Sequence, residues 1–296
     1  MRYSLRQLEV FLATAQYENV TRAAHSLAMS QSAASGSLSE LERNFGVQLF
    51  DRMGKRLKLN ALGAQIRPGA ENLLQQAREF ERALAGDSAL GKLKLGATLS
   101  IGNYLAVGMI AEFRARFPEA EVALSVANTE TIARQVRQFE LDVGLIEGEL
   151  HDTELEAIPW RDDELQVFAA PGHPLAGGKP MGDAQILQQA WIVREPGSGT
   201  RQTFERAMHG LLPDLKIAME LQHTEAIKRA VEAGLGLGCL STICLRDAFA
   251  RGSLVPLAVP ARNFKRRFHI ILHRKRFRNE GLSQWLKLCL ESASNA

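Results

Sequence analysis

Apolar residues near the start of the chain recur at helical spacing in three short segments. Their positions are Leu5, Leu8, Phe11 and Leu12, then Ala23, Ala24 and Leu27, then Ala34, Leu38, Leu41 and Phe45. Ser30, a favoured N-cap residue, precedes the third segment and Gly46 ends it. Only Ala28 and Met29 separate the second segment from the third, a connection of the length found in helix-turn-helix motifs. The pattern predicts three helices, with the third crossing the second steeply.

Residues 49–59 follow with the pattern of a short basic hairpin. The apolar positions Phe50, Leu57 and Leu59 are interspersed with the basic positions Arg52, Lys55, Arg56 and Lys58 around Gly54. Beyond Asn60, a favoured N-cap residue, apolar residues recur in steps of four and three at Ile66, Ala70, Leu73, Ala77, Phe80 and Leu84. This is the seam of a coiled coil and predicts a dimerising linker helix over residues 61–88. Pro68 should kink that helix or delay its start.

The pattern changes from Lys92 onward, where short apolar runs alternate with helical stretches. Strands at 93–97, 122–126 and 143–146, separated by helices at 104–117 and 132–139, are typical of βαβ units and predict a mostly parallel sheet. We expect two α/β lobes with a cleft between them, one built from residues 89–163 plus 267–296 and the other from 164–266.

Composition and charge indicate a globular protein and argue against a membrane-spanning one. Hydrophobic residues make up 46% and charged residues 23% of the chain, as in ordinary globular proteins. No apolar run reaches membrane-spanning length and no signal-peptide pattern opens the chain, so we expect a cytoplasmic protein that does not enter a membrane. The net charge is +3, and its positive excess falls within residues 1–68, which indicates a contact with nucleic acid or a solvated basic face.

The three cysteines, Cys239, Cys244 and Cys289, lack the CxxC spacing of a zinc or redox site. We expect them to be buried reduced thiols. The pair His269 and His273 lies on a predicted strand with no Cys or carboxylate nearby to complete a metal site. The sequence therefore predicts no metal ion, no cofactor and no catalytic residue.

The third helix has short polar side chains on its outer face. With Ala34, Leu38 and Leu41 turned inward, the outward positions are Gln31, Ser32, Ser35 and Ser39. Short polar groups allow a helix to enter a major groove closely, and glutamine can pair with adenine through two hydrogen bonds. Serine-rich surfaces also occur on helices that never touch DNA, so the arrangement of the three helices and the hairpin carries more weight than this helix.

Several segments of the chain resemble the LysR-type transcriptional regulators in residue type and spacing. They are Leu5–Phe11, Thr21–Ala24, Ser30–Ser35, Leu49–Arg52 and Leu59–Gly63. The resemblance covers essentially the whole chain. It implies an α/β protein with an N-terminal all-α winged helix-turn-helix (1–60), a linker helix (61–88) and a two-lobed α/β effector domain of the periplasmic-binding-protein type (89–296).

The resemblance also implies partners. They are double-stranded DNA with an interrupted dyad site, a small-molecule effector, and further copies of the chain in a homotetramer built as a dimer of dimers. The expected DNA-binding residues are Thr21, Arg22, Ser30, Gln31, Ser32, Ser35, Gly36, Ser39, Arg52, Lys55 and Arg56. Gly36 stands where relatives generally carry a larger residue, so we expect no base to be recognised from that position.

In the second half of the chain, small polar residues recur where predicted strands lead into helices. The segment Arg194–Arg201 opens a helix, Asn128 and Thr129 precede another, and Thr224 is expected to cap a further one. Strand ends of open α/β sheets face a common cleft, where helix N-termini bind anions. The expected effector-binding residues are Thr98, Ser100, Asn128, Thr129, Glu147, Ser198, Gly199, Thr200 and Thr224.

The effector is expected to be a small inorganic oxyanion or a short carboxylate. The segments Ala97–Tyr104 and Glu195–Arg201 resemble those of LysR-type members associated with sulfur assimilation and carbon fixation, which favours sulfur oxyanions or phosphorylated metabolites. Glu147 and Glu195, if both point ionised into the cleft, would instead favour a neutral or amine-bearing ligand.

Two rival functions remain open from the sequence. A solute-binding protein would account for the lobes but not for the basic N-terminal segment, and an enzyme with Ser198 as nucleophile lacks a base and an orienting group. The basic runs 265–267 and 274–278 are interpreted as a solvated face or a contact between subunits rather than as a DNA-binding surface.

Overall fold

The computed structural model describes residues 2–54, 56–85 and 90–294. The chain divides into two compact units. The first comprises the residues up to 91 together with 275–279, and the second comprises 92–274 together with the residues from 280 onward.

Three helices form the core of the first unit, with bounds α1 Leu5–Tyr17, α2 Val20–Ser26 and α3 Gln31–Phe45. Each helix has a capped start. The Ser4 hydroxyl accepts a hydrogen bond from the Gln7 backbone amide, and the Asn19 and Ser30 side chains cap α2 and α3 in the same way. Ala28 adopts a left-handed conformation in the turn between α2 and α3. The caps and this turn account for the helix-turn-helix that the apolar pattern predicts.

A two-stranded antiparallel hairpin and a long helix complete the first unit. The hairpin strands are β1 Phe50–Met53 and β2 Arg56–Leu59. The helix α4 spans Ala61–Ala85, and residues 86–88 of the predicted linker lie outside the described residues. The Asn60 side chain accepts a hydrogen bond from the Gly63 amide at its start. Since α4 runs continuously through Pro68, the proline does not delay the start of the helix.

The predicted seam along α4 needs one correction. Ala70 is buried against the three-helix core, as is Leu74 in the next turn, so Ala70 does not belong to an outward seam. The apolar side chains that remain exposed on α4 are Leu62, Ile66, Leu73, Phe80 and Leu84. Their spacing keeps an apolar stripe on the outer side of the helix.

The second unit alternates strands and helices. The strand bounds are β3 Lys92–Thr98, β4 Glu121–Ala127, β5 Val143–Glu147, β6 Leu155–Ala169, β7 Ala190–Arg194, β8 Lys216–Leu221, β9 Leu237–Ser241, β10 Val255–Pro256 and β11 Lys265–His273. The helix bounds are α5 Leu99–Ile101, α6 Val107–Arg116, α7 Thr129–Arg137, α8 Asp183–Gln188, α9 Gly199–Ala207, α10 Thr224–Glu232, α11 Thr242–Ala250 and α12 Glu280–Ser294. A π-helical stretch, Gly102–Ala106, joins α5 to α6, and a 3-10 turn spans Leu212–Asp214.

These strands form one mixed sheet in the order β4-β3-β5-β11-β6-β9-β7-β8, with β10 on β6. Two parallel groups, β4-β3-β5 and β9-β7-β8, are joined by β6 and β11, which pair antiparallel with each other and with their neighbours. The predicted parallel pairing is confirmed for β3, β4 and β5, but the antiparallel strands β6 and β11 make the sheet as a whole mixed rather than mostly parallel. A chain that crosses from one lobe to the other and returns has to run in both directions, which places an antiparallel pair at the crossing.

Each lobe of the second unit has its own apolar core. Ile132, Val136 and Ile146 contribute to the core of the first lobe, and Trp191 and Phe204 to that of the second. The three cysteines are free and buried, as predicted. Among the described residues, no helix is both long and apolar enough to cross a membrane.

Candidate functional site

A set of backbone and side-chain hydrogen bonds joins the N-termini of α7 and α9. The Thr129 hydroxyl donates to the Glu147 carbonyl at 3.0 Å and accepts from the Gly199 amide at 3.1 Å. Asn128 caps α7 by accepting from the Thr131 amide, and the Ser198 hydroxyl accepts from the Thr200 amide. We call Asn128, Thr129, Ser198 and Gly199 the junction. Each of the four residues has at least one hydrogen bond within the protein.

Gly199 is required at the junction for steric reasons. A Cβ atom there would collide with the Glu147 carbonyl, so only glycine lets the start of α9 approach β5 this closely. The sequence predicts that glycine here admits a ligand to the backbone amide. In the structure that amide is already bonded to Thr129.

A buried ion network lies next to the junction. The Arg266 guanidinium donates to Glu147 at 3.0 Å and to Asp163 at 2.6 Å, and all three side chains are at most 2% exposed. Arg266 also donates to the Thr200 hydroxyl, which itself donates to Glu147 at 2.8 Å. Burial by itself would raise the pKa of Glu147, but Arg266, with hydrogen bonds from the Ser100 backbone amide and the Thr200 hydroxyl, lowers that pKa to about 2. Glu147 is therefore ionised and already neutralised by its neighbour.

Arg266 is the residue of this network that the sequence analysis assigned wrongly. The interpretation of 265–267 as a solvated face holds for Lys265 and Arg267, which are exposed, but not for Arg266 between them. The alternation of apolar and basic residues along the strand already indicated that Arg266 faces inward. Arg266 alternates in step with Phe268 of β11 and with Phe264, the residue just before the strand, both of which are buried, so its side chain points inward.

Four buried polar groups near this network have no nitrogen or oxygen partner among the described residues. They are the hydroxyls of Thr98, Ser100 and Thr224 and the Nη2 atom of Arg266. Each of the three hydroxyl-bearing residues is at most 3% exposed. We call Thr98, Ser100 and Thr224 the open hydroxyls. Unpaired polar groups are costly in a protein interior, and a bound ligand is one way of pairing them.

The prediction that Thr224 caps a helix is wrong in detail. The N-cap of α10 is His223, and Thr224 is the first helical residue, with its hydroxyl turned inward. Glu195, which the sequence left as a possible repulsive charge, forms a two-pronged ion pair with Arg194 at 2.7 and 2.9 Å. Its charge is thus also compensated within the protein.

The residues predicted to contact DNA lie on one helix-turn-helix and its hairpin. Those at the surface are Thr21, Arg22, Ser30, Gln31, Ser32, Gly36, Ser39, Arg52 and Arg56, while Ser35 is half-buried and Lys55 lies outside the described residues. A Cβ atom at Gly36 would meet nothing within 4 Å, so that position is open to the surroundings. Ser30 has a second role, because its hydroxyl caps α3.

Two family models match the chain and together cover most of it. The model described as "Bacterial regulatory helix-turn-helix protein, lysR family" matches residues 5–64, and that of the "LysR substrate binding domain" matches residues 86–294. The chain belongs to the LysR family of bacterial transcriptional regulators. Regulators of this family bind DNA and small-molecule effectors and are typically oligomeric, and the family is one of regulators rather than enzymes.

Several relatives of this LysR-type regulator have similar length. "Uncharacterized HTH-type transcriptional regulator YeiE" of Escherichia coli is 42% identical, with 98% of each chain covered. The "RuBisCO operon transcriptional regulator" of Allochromatium vinosum is 33% identical over 93% of this chain and 91% of its own. "HTH-type transcriptional regulator CysL" of Bacillus subtilis is 31% identical, with 89% of each covered.

Solved structures share the fold of this LysR-type regulator. A cysteine-to-aspartate variant of full-length OxyR from Pseudomonas aeruginosa has a TM-score of 0.74 at 22% identity and covers 99% of this chain and 95% of its own. The regulatory domain of CcmR from Synechocystis, solved in complex with 2-PG, has a TM-score of 0.65 at 29% identity and covers 69% of this chain and 98% of its own. No group of three or more His, Cys, Asp or Glu side chains in residues 2–54, 56–85 and 90–294 is placed to hold a metal ion.

Proposed function

We propose that this regulator senses a small oxyanion held by the open hydroxyls and by Arg266. The observation that carries the proposal is the set of unpaired buried groups, Thr98, Ser100, Thr224 and Arg266 Nη2. A hydroxyl can donate or accept, but a guanidinium nitrogen only donates, so the set favours a ligand rich in acceptor oxygens. Thr98 and Ser100 lie where β3 leads into α5, and Thr224 opens α10, where backbone amides add partial positive charge.

The carboxylates nearby do not oppose such a ligand as strongly as isolated charges would. Glu147 is held by Arg266, and Glu195 by Arg194. The ligand of one relative also supports an anion, since the CcmR regulatory domain is in complex with 2-PG. Sulfur oxyanions and phosphorylated metabolites are the classes to examine first.

Calorimetry on the full chain tests this proposal. Sulfate, sulfite, thiosulfate, phosphate and short carboxylates are titrated into the wild type and into Ser100→Ala and Thr224→Val, each of which should bind at least about tenfold more weakly than the wild type because a ligand hydrogen bond is lost. Thr203→Val is the matched control, since the buried Thr203 hydroxyl already donates to the Gly199 carbonyl and should not affect affinity. Binding of a cationic or apolar metabolite, with none of these anions bound, would overturn the proposal.

We further propose that the DNA-binding unit acts in pairs on an interrupted dyad site, within a tetramer built as a dimer of dimers. The exposed apolar stripe on α4 supports pairing through the linker helix, because side chains such as Phe80 and Leu84 are 66% and 74% exposed. Two linked helix-turn-helix units bind two half-sites about one or more helical turns apart.

A charge on the stripe should break the oligomer. Leu73→Glu places an unpaired carboxylate in the proposed seam and should lower the mass measured by light scattering. Ala64→Glu adds the same charge at an exposed position on the opposite side of α4 and should leave the mass unchanged. An unchanged mass for Leu73→Glu would remove α4 from the interface.

Contacts with bases and with phosphates should be separable in α3 and the hairpin. Gln31→Ala should relax base preference at one position of each half-site by about 1–3 kcal/mol if Gln31 pairs with adenine. Arg52→Ala should weaken binding to all sequences and reduce the slope of affinity against salt by about one. Footprinting that reveals a single unpaired half-site would contradict the paired model.

A further inference from the structure

A second polar cluster lies on the same helix as one of the open hydroxyls. Lys228 follows Thr224 by one turn of α10, and both side chains are buried, with Lys228 only 7% exposed. Residues four apart share one face of a helix and lie about 5–6 Å apart at their Cβ atoms. The Lys228 and Thr224 side chains therefore lie on the same inward-facing side of α10.

The partners of Lys228 come from both lobes. Its Nζ atom donates to the Tyr104 hydroxyl and to the Cys244 carbonyl, both at 3.1 Å, and pairs with Glu225 at 2.5 Å. Tyr104 donates in turn to Glu225 at 2.7 Å. Burial, with the hydrogen bond to Glu225, raises the pKa of Tyr104 above its ordinary value, so the phenol keeps its proton.

The cluster also borders Ser100, one of the two open hydroxyls of the first lobe. Ser100 precedes Tyr104 by four residues in the helical run that begins with α5 and continues through the π-helical stretch. The Cys244 thiol, whose residue contributes a carbonyl to Lys228, lies beside Ser100. Two helical segments thus each present an open hydroxyl followed one turn later by a polar group, and those two polar groups meet.

The charge balance of the buried ion pairs around Arg266 gives the Lys228 cluster a role. Arg266 is shared between two buried carboxylates, Glu147 and Asp163, and Arg194 is paired with Glu195. These buried groups carry more negative than positive charge before any ligand arrives. A buried anion needs a compensating charge or a full set of donors, since its desolvation is otherwise too costly.

We propose that Lys228 supplies this charge and is a direct ligand of the effector anion. In the ligand-free state its ammonium is held by Glu225, whose side chain is 59% exposed and can turn to water. The anion then exchanges for Glu225 at Nζ, between Ser100 and Thr224. The proposal rests on the anion-binding function proposed above and adds the competition with Glu225. The Glu225 carboxylate competes with the anion for Lys228 and so lowers the affinity for the anion.

Calorimetry of the full chain with sulfate, sulfite, thiosulfate and phosphate tests the competition, because two variants should change the anion affinity in opposite directions. Lys228→Met should weaken binding at least about tenfold, because a charged hydrogen bond to the anion is lost. Glu225→Gln should strengthen binding severalfold, because it removes the carboxylate that holds Lys228. Arg229→Met is the matched control, since it removes the same charge from the next residue of α10, where the side chain is 76% exposed, and should leave affinity unchanged.

The outcomes separate the two proposals. If the wild type binds none of the anions, the proposed function fails. If the wild type binds and Lys228→Met binds within threefold of it, the site stands and the role of Lys228 is rejected. A Glu225→Gln variant that binds as weakly as Lys228→Met would show that the ion pair is purely structural. Lys228→Arg, which keeps the charge, should recover part of the affinity, and thermal melting without anion identifies any variant that fails to fold.

Discussion

Two sets of hydroxyls in the second unit, those of the junction and the open hydroxyls, carry the same residue types in the same local setting and differ in their partners. At the junction, Thr129 and Ser198 lie at the starts of helices and are bonded to groups of the neighbouring strand and helix. Among the open hydroxyls, Ser100 and Thr224 also lie at helix starts, are equally buried, and have no nitrogen or oxygen partner among the described residues. A hydroxyl at a helix N-terminus thus does not by itself mark a ligand site. Several buried groups without a partner on the residues around one ion network are a stronger indication of a ligand.

Arg266 combines both situations in one side chain. It bonds Thr200 at the start of α9, and its Nη2 atom is one of the groups without a partner in the described part of the chain. The guanidinium holds two carboxylates in place while keeping one donor for a ligand. Variants that separate these roles test the comparison.

Removing the Arg266 charge should have the largest effect. Arg266→Met leaves Glu147 and Asp163 buried without a counter-charge and should destabilise the second unit by about 3–5 kcal/mol in urea unfolding. Arg267→Met, the neighbouring control, removes an exposed arginine paired with Asp162 at the surface and should cost no more than about 1 kcal/mol. Equal costs for the two variants would mean that the network does not stabilise the cleft.

The pH dependence of stability should follow Glu147. Its pKa lies at about 2 in the folded protein, below the ordinary value of 4.5, because Arg266 and the hydrogen bonds from the Ser100 backbone amide and the Thr200 hydroxyl outweigh burial. The stabilisation is therefore complete above about pH 5 and is lost as the pH falls toward 2. Unfolding of Glu147→Gln should show lower stability at pH 7 and a shallower decline between these values. Glu119→Gln, at an exposed carboxylate, should retain the wild-type slope.

Matched threonine-to-valine changes should distinguish the junction from the open hydroxyls directly. Thr129→Val leaves the Glu147 carbonyl and the Gly199 amide without their partner and should cost about 1–3 kcal/mol. Thr224→Val removes a hydroxyl that has no partner among the described residues and should change the stability of the ligand-free protein by no more than about 0.5 kcal/mol. A large cost for Thr224→Val, measured by urea unfolding without anion, would show that its hydroxyl is bonded after all.

Much of the first unit follows from local sequence, because its signals are short in range. The turn at Ala28 and the caps Ser30 and Asn60 depend on residues only a few positions away. Ala70 was assigned to the outer seam for the same reason. Ala70 does fall at an apolar position of the repeat, but whether that position faces the core or the outer stripe depends on packing against α1 and α3.

In the second unit, the sequence predicted β3, β4 and β5 with the helices between them, and it placed Ser100, Thr129, Ser198 and Thr224 at or beside the starts of helices, since periodicity and helix capping depend on neighbouring residues. It did not determine the antiparallel crossing of β6 and β11, the burial of Arg266, or which hydroxyls find a partner. Those depend on contacts between distant residues, such as Arg266 with Asp163, 103 positions apart, and Lys228 with Tyr104, 124 positions apart. Only the packing of the two lobes brings such groups within hydrogen-bonding distance, and the same packing left the open hydroxyls unpaired.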